Sequence, residues 1–517
     1  MTFKLTDGGR REAYLVALFF LATAVLSALV LYSRDRYSFL YFGDAASHIV
    51  KARQFIDGNT PGGAPLGTVW LPLPHLLLIP AVAVNALFYS GLAGAVTGIP
   101  MYAGTCALLF LIVRRLTGSP APGLLAASLF GLNPNVVYIA LTPMNESALF
   151  FFLALGGYAF LRWRDEGRTR WLAAAAVSVM LATLCRYEAW ILPPFITFAA
   201  IRHGRGRRHA EKSGEGARPA LFPPAALAIV SFLGILTWLA WNLYRYGDAL
   251  TFARWTYNIA PRSLHEAAGR AWYQGVLVYA RALLFVFGPA VICVSAGIFM
   301  KQAEAARRRA PVLIFFALPA LFTVASIAAD FVQIDAWRWN WRLVLPAGLF
   351  FAIAASLGLV GVFGKIRSEG LRAAAVAVLL LMPLMQLEFS QIGVAVYDDA
   401  HRVFSADPRG GAYAGEFLQG EYTGGGIALV TGYGQAERIM VSSGIPLREF
   451  HILRNPAEAE PLAAITGNER FLVIGLQTTP ESAPYVERWL ARMDTLLAAH
   501  ALRSDDGHYV ILERRGL

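Results

Sequence analysis

A chain of 517 residues that is 56% hydrophobic and only 15% charged, with a mean hydropathy of +0.50, is too apolar for a soluble domain; such domains carry about 25% charged residues. The length allows many membrane spans and one further domain. The formal net charge of +11 does not signal nucleic-acid binding, because the basic residues fall in short segments between apolar runs, as membrane topology dictates. Cys106, Cys185 and Cys293 lie in or beside apolar runs, with neither metal spacing nor an obvious partner, and read as small buried hydrophobes.

Lys4, Arg10 and Arg11 precede the first apolar run, 14–32, and no small-residue cleavage site follows it. An uncleaved first span is expected. The first outside loop, 33–75, contains YFGDAASHIVKARQFIDG, which gathers Asp44, His48, Lys51, Arg53 and Asp57 just past that span. Ionisable groups at a membrane boundary are costly and mark a functional site. The stretch 70–89 is apolar but holds three prolines and His75, and is expected to be an interfacial or re-entrant helix. Further spans, each needing about 20 apolar residues, are predicted at 91–113, 121–139, 147–161, 171–184, 189–201, 222–243, 275–300, 311–329, 345–362 and 371–387, giving about eleven transmembrane helices.

With the N-terminus inside, the inside loops receive Arg114 and Arg115; Arg162, Arg164, Arg168 and Arg170; the run from Arg202 to Arg218; Lys301 and Arg307 to Arg309; and Lys365, Arg367 and Arg372. Every one of them is short and basic, as the positive-inside rule requires. An odd number of spans places the tail outside. Composition changes near residue 388, dividing the chain into a transmembrane domain, 1–388, and a small soluble α/β domain, 389–517. In that domain GGIALVTGYG and RFLVIGLQT read as buried strands, 485–500 as one amphipathic helix, and HYVILERR as a last strand. TGYGQAE is only loosely like a phosphate loop, since no GKS or GKT follows.

This topology sends the remaining polar residues to one side: Asp44 and its neighbours; Asn145 and Glu146 of TPMNE; Arg186 and Glu188 of CRYEAW; YRYGDALTF; and Asp330, Asp335, Arg338 and Arg342 of the last such loop. Two acids from separate loops, Asp44 and Glu146, could face one pocket. Arginines from two others could bind phosphate bidentately. These are the parts needed to move a sugar off a polyprenyl phosphate. A carboxylate takes the proton of an acceptor hydroxyl, and cations stabilise the departing phosphate. The expected course is a single displacement with inversion.

Structural readings stand beside these. Asp44 after Gly43 could be a helix N-cap. His48, one turn on, could share a divalent cation, magnesium or manganese, with Asp44 and Glu146, or orient a neighbour. Lys51 and Arg53 could snorkel to headgroups or bind phosphate. Glu146 suits the positive end of a helix. Arg186 and Glu188 could be an ion pair at a helix turn. Trp337, Trp339 and Trp341 read as an aromatic belt, whereas Arg338 and Arg342 beside them oppose the inside rule and favour phosphate.

The order of these parts resembles the GT-C integral-membrane glycosyltransferases, among them protein mannosyltransferases, lipid A aminoarabinose transferases and oligosaccharyltransferases. GDAASHIVKARQFIDG is similar to their acidic first loop, with Asp44 in the base position. NPNVVYIALTPMNE is similar to their second loop, with Glu146 at its acidic position. The resemblance implies a polytopic GT-C fold with an extracytoplasmic C-terminal domain in the inner membrane. It also implies a lipid-linked sugar donor and a lipid, glycan or protein acceptor. The WWDYG signature of oligosaccharyltransferases is missing. Two other classes compete: a transporter or flippase, and an O-antigen-type polymerase or ligase. Transporters place charges near the bilayer midplane and often show repeats; here the polar residues cluster at span ends and no repeat is visible.

Overall fold

The computed structural model describes residues 7–59, 61–63, 66, 69–212, 224–254, 272–295, 303–329, 331–332, 334, 340–363, 366, 368–384, 411–432, 434–453, 469–476 and 483–515. Asp330, Asp335, Arg338 and the junction near residue 388 lie outside them.

Helix α1 (Asp7–Arg34) enters the bundle and is followed by α2 (Gly43–Asp57), α3 (Leu73–Val82) and α4 (Asn85–Tyr89). The main bundle is α5 (Ala93–Thr117), α6 (Pro120–Gly131), α7 (Pro134–Leu141), α8 (Glu146–Glu166), α9 (Thr169–Thr183), α10 (Leu192–Lys212), α11 (Pro224–Ile229), α12 (Leu233–Tyr246), α13 (Trp272–Phe287), α14 (Pro289–Ser295), α15 (Ala303–Ala328), α16 (Ala347–Phe363) and α17 (Glu369–Leu384). Every predicted span overlaps described helix, with 222–223, 296–300 and 385–387 outside the described residues. By length and apolarity, four described helices can cross a bilayer alone, or five if the bent pair α6–α7 counts as one. About eleven spans therefore require the shorter apolar helices to cross as well.

Local chemistry explains the breaks. Pro134 opens α7 and the Asn133 side chain accepts from the Asn135 backbone N–H, so α7 leaves α6 at 64°. The 70–89 stretch forms two helices, with Pro80 inside the first. Helix α5 carries Gly94 and Gly98 one turn apart. A Cβ on Gly94 would lie 2.3 Å from the Pro143 nitrogen, and one on Gly98 would lie 2.3 Å from the Ala140 carbonyl. Only glycine lets the backbone of 140–143 come this close to α5. That contact fixes the segment that ends at Glu146.

The C-terminal domain is present as a five-stranded mixed sheet, order β2-β1-β3-β5-β4. Its elements are α18 (Ala412–Glu421), β1 (Gly426–Val430), α19 (Gln435–Ser443), β2 (Phe450–Ile452), β3 (Glu469–Gly475), α20 (Ala483–Leu490), α21 (Met493–Ala499), β4 (His500–Asp505) and β5 (Tyr509–Arg514). β1 pairs parallel with β2 and β3, and β5 pairs antiparallel with β3 and β4. The single helix expected over 485–500 is instead two helices, and His500 begins a strand. One sheet face has its own core around Trp489 and Leu496. The other shares a core with the first-loop helices: Ile439, Met440 and Phe471 join Ile49, Val50 and Phe88. The C-terminal sheet domain is thus packed against the helix that carries Asp44.

Candidate functional site

Asp44 is the second residue of α2, whose N-cap is Phe42 with no side-chain cap bond. The N-cap expectation for Asp44 is thereby corrected. Its Oδ2 accepts from Arg342 Nη2 at 2.5 Å. Arg342 sits on a short 3-10 turn, Trp341–Val344, entered through Asn340 at φ 61, a left-handed conformation that Asn tolerates. The same guanidinium reaches Met144 Sδ at 3.7 Å and lies over the Phe42 ring.

Glu146 is the first residue of α8 and fully buried. Its Oε1 accepts from Arg186 Nη1 at 2.7 Å. Arg186 also donates through Nε and Nη2 to Glu188 Oε1, at 3.0 and 2.7 Å. Burial pulls the Arg186 pKa down, but Glu188, Glu146 and Asp44 outweigh it and the pKa rises. For Arg342 burial likewise opposes Asp44 and Glu146, and again the carboxylates win. That cross-coupling makes one cluster of Asp44, Glu146, Arg186, Glu188 and Arg342, drawn from four distant parts of the chain.

The cluster is not closed. Glu146 Oε2 and Arg342 Nε are buried without a hydrogen-bond partner among the described residues. Leaving such a group unpaired costs about 1–3 kcal/mol. Two within one cluster mark a place for a polar ligand or ordered water.

The other first-loop residues follow from helical phase. His48 and Lys51 lie four and seven residues past Asp44 and share its face; Arg53, nine residues on, is half a turn away. Arg53 donates to the Val82 carbonyl at 2.6 Å and to Asn85 Oδ1 at 2.7 Å, and approaches Asp57 at 3.5 Å. It braces α2 to α3 and α4. His48 is buried, with Nδ1 2.8 Å from His75 Nε2 and its ring against Trp70. Burial, then Arg342, Lys51 and Arg186, hold its pKa well below the usual value, so it is neutral at pH 7. Lys51 lies over the Trp70 ring.

The metal expectation does not fit these positions. Among the described residues no three His, Cys, Asp or Glu side chains are grouped to hold an ion. Asp44 Oδ2 and Glu146 Oε1 face arginines, and His48 Nδ1 faces His75.

Nothing local in the sequence signals His75 as the partner of His48 or Met144 as a contact of Arg342. Sequence reasoning also missed Arg438 of α19, which donates to the Leu40 carbonyl at 3.0 and 2.5 Å and to the Tyr41 carbonyl at 2.5 Å, just before α2. Asp57 Oδ2 accepts from the Leu447 backbone N–H at 3.3 Å, and Asn59 donates to the Phe450 carbonyl at 3.2 Å.

Residues 81–242 match the family model of dolichyl-phosphate-mannose-protein mannosyltransferases. No curated protein sequence matches significantly. Among solved structures, ArnT from Cupriavidus metallidurans bound to undecaprenyl phosphate is 15% identical with a TM-score of 0.56, covering 96% of this chain and 97% of that one. The Archaeoglobus fulgidus oligosaccharyltransferase in the apo form is 13% identical with a TM-score of 0.49, covering 89% and 69%. The family match and the ArnT likeness, over almost the whole length of both chains, identify this protein as having the fold of the GT-C integral-membrane glycosyltransferases.

Proposed function

We propose that the protein transfers a sugar from a polyprenyl-phosphate-linked donor to an acceptor hydroxyl, by inverting single displacement, at the outer face of the cytoplasmic membrane. The observation that carries this reading is the open cluster: a base candidate, a buried acid and two arginines gathered from four distant segments, with two unpartnered polar atoms among them, Glu146 Oε2 and Arg342 Nε. The match to the mannosyltransferase model and the lipid phosphate bound by ArnT support the donor class.

Arg342 and Arg186 bind the donor phosphate. As the phosphate draws Arg342 away, Asp44 Oδ2 is released. Asp44 then accepts the acceptor's hydroxyl proton while that oxygen bonds to the anomeric carbon. The bond from that carbon to phosphate oxygen breaks, and the phosphate leaves as an anion held by the two guanidinium groups. No general acid is required for such a leaving group. Glu146 and Glu188 hold Arg186 in place, and the free Glu146 oxygen is available to the acceptor or sugar. No step runs through a metal. In this reading all eleven predicted helices cross the membrane, the N-terminus is cytoplasmic, and the domain 389–517 covers the site from outside.

The test is Asp44→Asn in full-length protein, assayed with a polyprenyl-phosphate sugar. Turnover per folded molecule should fall by about 10²–10⁴-fold; undiminished turnover would contradict the assignment.

A further inference from the structure

Helix α8 starts at the candidate site and ends in a second feature that this function does not use. Helix α1 packs on α5, and α8 packs on α5 and α9, but α1 has no extended packing against α8 or α9. A furrow of about 660 Å³ remains between them. Its aliphatic lining is mostly small: Ala13 and Ala17, one turn apart on α1, Ala107 with Leu111 on α5, and Ala174 on α9. Alanine at these places leaves an apolar trough where larger side chains would have closed the helices together.

The mouth of the furrow is cationic. Arg10, Arg162 and Arg170 line it with Tyr158 and Trp171. The Trp171 ring has the Arg162 guanidinium carbon 4.2 Å and the Arg170 guanidinium carbon 5.3 Å from its centroid. Arg162 is committed to Glu166 and donates to the Tyr158 hydroxyl at 2.9 Å. Arg10 and Arg170 differ: both are exposed, and neither has an acidic partner among the described residues. The nearby acids are engaged elsewhere, Glu12 with Arg114 and Asp165 with Arg115. Outside the furrow, α1 shows Leu15, Leu18 and Phe19 to its surroundings, more than half exposed, the pattern of a lipid-facing helix.

We propose that this furrow is a binding site for an anionic glycerophospholipid, with its acyl chains on the alanine floor and its phosphate between Arg10 and Arg170. An apolar trough opening toward lipid beneath two uncompensated guanidinium groups matches one apolar tail region and one phosphate. The occupant is a bilayer lipid, distinct from the reacting donor. Along α8, Arg162 is roughly 24 Å from Glu146 at 1.5 Å per residue, so a lipid here cannot reach the candidate site's cluster with its headgroup. Its effect is to fill the gap beside α1, the helix that leads directly into the first loop.

Native mass spectrometry of the full chain, released from detergent, tests this with dioleoyl-phosphatidylglycerol, dioleoyl-phosphatidylcholine or inorganic phosphate added. The wild type should hold phosphatidylglycerol well above phosphatidylcholine. Arg10→Gln with Arg170→Gln should weaken it by about 30-fold, from roughly 1 kcal/mol per surface cation. Ala17→Phe, which fills the trough and keeps both arginines, should weaken it too. Equal retention of the two lipids, or undiminished phosphatidylglycerol binding by the double arginine variant, would overturn the proposal. So would displacement of the lipid by inorganic phosphate at equal concentration. The arginine side chains are exposed, so that variant decides the matter even if Ala17→Phe does not fold.

Discussion

The two ends of α8 carry the same ingredients and put them to different use. At its N-terminus Glu146 meets Arg186, with Glu188, Asp44 and Arg342 alongside. At its C-terminus Asp165 and Glu166 meet Arg115 at 2.7 and 3.0 Å, and Glu166 also takes Arg162 and, at 2.9 Å, the Trp171 indole N–H. An acid at a helix C-terminus faces the negative end of the dipole and requires nearby cations. The second cluster supplies them, and none of its Arg115, Arg162, Asp165 or Glu166 atoms is left buried and unpartnered. The first cluster leaves two such atoms, Glu146 Oε2 and Arg342 Nε. Buried charge alone does not mark a site; unclosed hydrogen-bonding capacity does.

The comparison breaks most visibly under paired substitutions. Arg186→Met strands Glu146 in the interior and should cost about 3–5 kcal/mol of stability, the penalty of an unpaired buried charge. Arg115→Met takes one cation from Asp165 and Glu166 but leaves Glu166 with Arg162, and should cost less. The predicted difference is kinetic. Per folded molecule, Arg115→Met should keep its turnover number, whereas Arg186→Met should lose it. Melting curves alongside assays normalised to folded protein separate the two, and an equal kinetic loss in both would erase the distinction drawn here.

A smaller effect is expected from the soluble domain. Arg438 holds the Leu40 and Tyr41 carbonyls, four and three residues before Asp44. Arg438→Met should reduce the turnover number by roughly tenfold, the equivalent of about 1.4 kcal/mol and within the range for losing a charged hydrogen bond. Substrate KM should move little, and Arg438→Lys should restore part of the rate. A loss confined to KM would instead place the domain at the acceptor.

What the sequence made legible follows from the range of each interaction. Asp44, Glu146, Arg186, Glu188 and Arg342 could be singled out because apolar runs are long and charges between them are few. The basic loops then sort those residues to one side. Arg53 was grouped with them because it is near in sequence; counting helical phase from Asp44 would have set it on the opposite face. The break inside 483–499 was invisible, since the amphipathic period runs through it. Three-residue β2 is too short to leave a pattern. Arg438 lay beyond reach altogether: its partners are carbonyls almost 400 residues away, and nothing in its own helix distinguishes it from a surface arginine. The Gly94 and Gly98 pair was in view, but its meaning depends on which backbone comes to lie against it.

The most direct measurement is the position of the lipid phosphate. An experimental structure of the full chain with undecaprenyl phosphate should show the phosphate within hydrogen-bonding distance of Arg342 and Arg186, with the Asp44–Arg342 pair opened and the stranded Arg342 Nε engaged. A phosphate seated elsewhere, with that pair intact and those buried atoms still unpartnered, would contradict the account.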